Sequence, residues 1–307
     1  MNPISTNFEF SPVISVGLDV HKKTIQLAAL FGRDWLFERT FSTENLADLR
    51  KALLKLAKKA PVRACYEASG AGFRLHRLLT DWGVPCQVVA PSMIPQKPGE
   101  KKKCDRLDAR RLAEYLAAGL LVAIHIPTSE DEADRNLVRC RFAFRKEVTQ
   151  LKHRVVKFLD AQGKHYPAQA WTIAHRSWLA NQRFALAADQ MTYNFYLEQL
   201  LMTEARLNEI DMRIREMSVT VKYAQQVKVL CGFRGVDVLT AMVFLTELGD
   251  LSRFGSPQQL MAYLGLVPKV HQSGESGNRS KGCVMSTISG PRRQLFFPFS
   301  QGQLFDI

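Results

Sequence analysis

Residues 13–20 read VISVGLDV, an apolar, β-branched run interrupted near its end by one carboxylate, Asp19. The run is too short for a typical helix and rich in strand formers, so it reads as a buried strand. A carboxylate inside such a run is costly to bury unless it is paired or coordinates a cation. Outward from it, residues 24–30 and 35–41 can pair with this strand as a meander. Residues 46–56 (LADLRKALLKL) carry apolar side chains at helical spacing, and residues 63–66 form a short strand ending at Glu67. Residues 73–79 read as helix, 87–90 as strand, and 105–118 (DRLDARRLAEYLAA) as helix, with Leu107, Leu112 and Leu116 on or near one face.

The order is three strands, helix, strand, helix, strand, helix. It predicts an α/β domain of ribonuclease-H-like type, a mixed sheet flanked by helices, over residues 1–125. The next hundred residues read as all-helical. Phe144, Val148, Leu151, Val155 and Phe158 are spaced 4, 3, 4 and 3 apart, and Leu200, Leu207, Ile210, Ile214, Met217 and Val221 keep a heptad rhythm. That spacing predicts a coiled-coil seam in a long helical hairpin over 126–226, with residues 163–178 as connector; ordinary packed helices within one domain are the alternative. From residue 227 the chain reads as helix, turn (LCGFRG, 230–235), the apolar helical stretch 238–248, and a helix starting after Pro257. Beyond Pro268, HQSGESGNRSKG is a loop by composition.

The 307 residues are 46% hydrophobic and 23% charged, which excludes wholesale disorder. Lys and Arg number 42 against 29 Asp and Glu, a formal charge of +13 that points to a polyanionic partner, most often nucleic acid. The most apolar stretch, 112–126, is interrupted by Glu114 and His125, and the N-terminus lacks a basic region followed by an apolar one. Neither a membrane span nor a signal peptide is therefore expected, and the chain is expected in the cytoplasm. The six cysteines have neither Cys-x-x-Cys spacing nor a companion His pair, which argues against structural zinc and against a disulfide framework.

Four acids stand at element boundaries. Asp19 and Glu67 end strands, and Asp105 and Asp108, three residues apart, share a helix face. In a ribonuclease-H-like sheet the first and fourth strands are neighbours, so these acids converge and repel unless a cation lies between them. Oxygen-seeking Mg²⁺ suits such a set, and two such ions can stabilise the attacking and leaving oxygens at a phosphate. Singly, each acid has an ordinary explanation: a helix N-cap for Asp105, a first-turn acid for Asp108, exposed strand ends for the others. His21 either assists them or is a surface histidine. Lys101, Lys102, Lys103, Arg106 and Arg110 form a basic rim around the acids. Arg139, Arg145 and Lys152, within a longer run of basic residues, fit sequence-independent tracking of a nucleic-acid backbone, or a solvated face.

GLDVHKKTI, YEASGAG, VVAPSMIPQKPGEKKKCDRLDARRLAEYL and ELGDLSRFGSPQQLMAYLGLVP followed by HQSGES resemble, in order and spacing, the DEDD transposases of bacterial insertion sequences. Piv-type DNA invertases are relatives. The resemblance implies a RuvC-like N-terminal domain, a coiled-coil connector and a mostly helical C-terminal transposase domain over 227–307. It implies Mg²⁺ held by Asp19, Glu67, Asp105 and Asp108, and a nucleophilic serine, Ser273 by position in its loop or else Ser276. It further implies donor and target DNA duplexes, a structured noncoding guide RNA, dimers that form tetramers on DNA, and residence at the bacterial nucleoid. Gly232 and Gly235 correspond to a turn that lets backbone amides approach phosphate; a plain helix–turn–helix connection is the alternative. After the serine loop the sequence departs from the family pattern, with Thr287 at an expected lysine and Pro291 in an expected helix. A shortened C-terminal domain is expected on that ground. Two other readings stand beside transposition: a junction nuclease using the acids alone, and a copy that binds nucleic acid without catalysis.

Overall fold

A computed structural model describes residues 13–70, 72–94, 105–264 and 266. The chain divides into two compact units at Ile126/Pro127.

In the first unit, β1 (Ile14–Val20), β2 (Thr24–Phe31) and β3 (Asp34–Ser42) form the expected antiparallel meander. β4 (Val62–Glu67) and β5 (Cys86–Val89) add in parallel on the far side of β1, giving the order β3-β2-β1-β4-β5. The first and fourth strands are thus neighbours. Strand alternation divides β1 between two cores. Ile14, Val16 and Leu18 are fully buried with Leu49 and Leu53 of α1 (Ala47–Ala57) and Leu75 and Leu79 of α2 (Arg74–Asp81). The opposite face is covered by α3 (Asp105–Ala117), whose Leu112 and Leu116 pack with Cys65 and Val89.

The second unit is helical throughout its described part: α4 (Ser129–Ala161), α5 (Ile173–Ala180), α6 (Ala187–Ser218), α7 (Ala224–Leu230), α8 (Val238–Leu248) and α9 (Pro257–Leu264). Thr128 starts α4 by accepting a hydrogen bond from the Asp131 N–H at 3.0 Å, and Glu130, Asp131 and Glu132 complement the helix dipole. α4 and α6 run antiparallel. Val138 shares a core with Ile214 near one end, and Val155 and Leu159 pack with Tyr193 and Leu200 near the other.

Two expectations change here. Val221, placed on the seam by its heptad position, is fully exposed, because α6 ends at Ser218 and the chain turns away. Residues 163–178, expected as connector, include the start of α5. So short a helix owes little to propensity and is held by packing, with His175 and Leu179 buried. The hairpin base also shares one core with α7–α9, through Ile214, Val227, Leu239, Met242 and Leu264.

Candidate active site

β1 and β4 run parallel, with Gly17 beside Cys65 and Leu18 beside Tyr66. Each strand continues into its acid, Asp19 and Glu67, at the same end of the sheet. Two-residue periodicity puts both acids on the face of Gly17 and Cys65, which is the face α3 covers. The register of α3 follows from three contacts. The Arg63 guanidinium donates to the Leu116 carbonyl at 2.8 Å, and the Cys65 thiol donates to the Leu112 carbonyl at 3.4 Å. Gly17 faces Ala109 and Ala113; a Cβ there would lie 2.0 Å from the Ala109 carbonyl oxygen and 2.6 Å from the Ala113 nitrogen. The helix therefore descends β1 in the opposite direction, and its first turn, with Asp105 and Asp108, reaches the level of Asp19.

Asp19 has a mostly buried side chain, 19% exposed, and its Oδ2 lies 3.0 Å from His21 Nε2. His21 begins the β1–β2 turn, closed by its N–H donating to the Thr24 carbonyl at 2.9 Å. Asp108 pairs with Arg111 at 3.2 Å, one helical turn on. Glu67 is exposed, and the loop after it is tied down from both sides. The buried Tyr66 hydroxyl donates to the Gly72 carbonyl at 3.1 Å, and the Ala68 N–H to the Val89 carbonyl at 2.8 Å. Burial pushes the Cys65 thiol well above its ordinary pKa, which keeps it neutral against the helix backbone.

Asp105 lies in the backbone of α3, but its side chain, like that of Arg106, lies outside the description. Lys101, Lys102, Lys103, Ser273 and Ser276 lie wholly outside it. Among the described residues, no three His, Cys, Asp or Glu side chains form a group that could hold a metal ion. In donor chemistry, Asp19 and Glu67, at the same end of adjacent strands, are carboxylates of the kind a hard divalent cation such as Mg²⁺ takes.

The basic residues separate into two kinds. Arg110 ion-pairs with Glu38 of β3, and its guanidinium lies 4.9 Å from the Trp35 ring centroid, so it also clamps α3 to the meander. Arg139 forms a forked pair with Glu247 of α8 at 2.6 and 2.8 Å, with Glu247 only 9% exposed. Lys152 pairs with Glu204 of α6 at 3.2 Å and lies over the Trp171 ring. The charges of these three are already matched within the fold. Arg145 is exposed and makes no ion pair among the described residues. The turn 231–235 is exposed, and Gly235 takes φ +84°, which favours glycine. Gly17 and Arg63 were not singled out from sequence. A glycine inside an apolar strand is the signal that marks close backbone approach.

Two family models match the chain. The model DEDD_Tnp_IS110, described as transposase, covers residues 16–162, and the model described as transposase IS116/IS110/IS902 family covers residues 227–288. The putative transposase y4qE of Sinorhizobium fredii is 37% identical over 86% of this chain and 65% of its own length. The transposase for insertion sequence element IS1533 of Leptospira borgpetersenii is 35% identical over 77% of this chain and 70% of its own. This chain thus spans about two thirds of the length of these curated relatives. The solved structure of Thermus thermophilus RuvC aligns with 36% of this chain and 99% of its own, at 11% identity and a TM-score of 0.27. The fold reading rests on strand order and direction alone. No helix among the described residues is long and apolar enough to cross a membrane.

Proposed function

We propose, from the premise that this chain belongs to the IS110 family of transposases, that it cleaves and rejoins DNA strands at the acid end of its sheet. The observation that carries the proposal is the arrival of Asp19 and Glu67 at the same end of adjacent parallel strands, on the face where α3 begins. Asp19, Glu67, Asp105 and Asp108 would hold Mg²⁺, which supplies charge stabilisation to the phosphate oxygens. The chain's own groups do the rest. The carboxylates fix where the cation, and with it the phosphate, would lie. His21 holds Asp19 in one orientation. Ser273, with Ser276 as the alternative, attacks phosphorus through its hydroxyl oxygen. A serine–phosphorus bond forms, the bond to the leaving deoxyribose oxygen breaks, and the serine proton passes to solvent or a nearby base. Attack by a deoxyribose hydroxyl on the serine phosphodiester reverses the step and joins the strands. The substrate would be donor and target DNA duplexes, selected by a structured noncoding RNA and held by a homo-oligomer.

The test is excision and joining of a matched element by the intact protein with Mg²⁺. Asp19→Asn, which weakens the hold on the cation, should lower strand cleavage by at least about a hundredfold, the order lost when charge stabilisation of the transition state is impaired. Ser273→Ala should abolish the protein–DNA adduct. Undiminished recombination by Ser273→Ala and by Ser276→Ala would overturn the serine assignment. Free cleaved ends without an adduct would favour junction cleavage by the acids alone. Salt-sensitive DNA binding without any cleavage would leave only a binding role.

A further inference from the structure

On the sheet face opposite α3, a cavity of about 640 Å³ opens between the end of β1, the β1–β2 turn and α2. Its floor is apolar, built from Ile25, Leu46, Leu75 and Leu78. Its mouth carries two exposed cations, Lys22 and Arg74, which make no ion pair among the described residues. The size is that of a small-ligand pocket, and an apolar floor under unmatched positive charge fits a ligand with one flat apolar part and one anionic part. His21 joins this cavity to the acids, because it lines the pocket and also bonds Asp19 at 3.0 Å. The pocket and Asp19 lie on opposite faces at the same end of β1, with His21 between them, so one strand that rounds this end of the sheet meets both.

We infer that this cavity receives one nucleotide of the DNA strand being cut, its base against Leu75 and Leu78 and its phosphate on Lys22 and Arg74. The inference rests on the strand-cleavage reading above for the identity of its occupant. Taking a base from the stack fixes the strand's register at the neighbouring phosphate, so the pocket positions the substrate and takes no part in bond breaking. DNA is favoured over RNA because His21 ties the pocket to Asp19, where the strand would be cut.

The probe is a single-stranded oligothymidylate with one central 2-aminopurine, added to the full chain in EDTA so that no cleavage occurs. Binding should change the 2-aminopurine emission as the base enters the pocket. Lys22→Ala/Arg74→Ala, at two exposed positions, should weaken binding at least about tenfold, as loss of charged hydrogen bonds does. Leu78→Trp, with folding checked by circular dichroism, should abolish the emission change by filling the floor while leaving most of the affinity. Emission changes that survive both variants would overturn the inference, as would an oligoribonucleotide that gives the signal when the DNA does not. The two readings fail separately. A signal in EDTA without cleavage in Mg²⁺ removes strand cleavage and keeps the pocket; cleavage without a signal does the reverse.

Discussion

Gly17 decides where α3 sits. With a hydrogen in place of a side chain, it lets the backbone of Ala109 and Ala113 lie directly on β1, and this brings the first turn of α3 to the level of Asp19. Gly17→Ala would place a methyl group 2.0 Å from the Ala109 carbonyl oxygen. Neither atom belongs to a flexible side chain, so the cost should reach the upper end of overpacking, about 3 kcal/mol. Denaturant unfolding should report that loss, and strand cleavage should fall by more than the loss of folded protein explains. A Gly17→Ala protein of unchanged stability and activity would refute this placement. At this scale the places of Asp19 and Glu67 at the ends of their strands were legible in the sequence, because each comes at the end of a short, mostly apolar run. The roles of the cations were not. Arg139 and Glu247, or Lys152 and Glu204, lie far apart in the chain, and sequence alone does not reveal that their charges meet.

Among the elements, the end of the α4–α6 hairpin that includes α5 carries two groups whose pKa values the fold lowers, which makes its stability depend on pH. His175 is buried, and its Nδ1 accepts the Trp171 N–H at 2.9 Å, so its neutral form fits the fold. Burial, with Arg176 alongside, holds its pKa below the ordinary value. Hydrogen bonds from Arg176 and Lys152 similarly hold the Glu204 carboxyl below its usual range. Both shifts are downward. Each group therefore contributes stability above its unfolded pKa, about 6.5 for His and about 4.3 for Glu, and loses it as the pH falls through the folded value. Denaturant unfolding followed by Trp171 and Trp178 emission should show stability that begins to fall below about pH 6.5 and falls further below about pH 4.3. In His175→Asn, which keeps an acceptor for Trp171, the upper step should vanish; its persistence would assign that step elsewhere. The helices themselves were legible from spacing. The α5 segment was not, because a short helix with Pro167 nearby is defined by its contacts rather than its composition.

In the whole molecule, the hydrophobic core of the first unit closes on itself: α1 and α2 cover one face of the sheet and α3 the other. A fragment of residues 1–126 should therefore fold alone, with mixed α/β circular dichroism and a cooperative unfolding transition; a molten or insoluble fragment would show that this core is incomplete. The +13 charge of the full chain predicts DNA binding whose log association constant falls linearly with log salt concentration. A flat salt response would exclude a phosphate-binding surface. The alternation of β-branched runs with helical periods determined the α/β character of the first unit and the helical second part, because local pattern dictates which face of each element must be buried. Only the tertiary structure decided that the hairpin base and α7–α9 form one core, that half-buried arginines hold helices together, and that a cavity opens behind the acids. Those outcomes depend on which distant surfaces meet, and meeting is a matter of packing rather than of spacing along the chain.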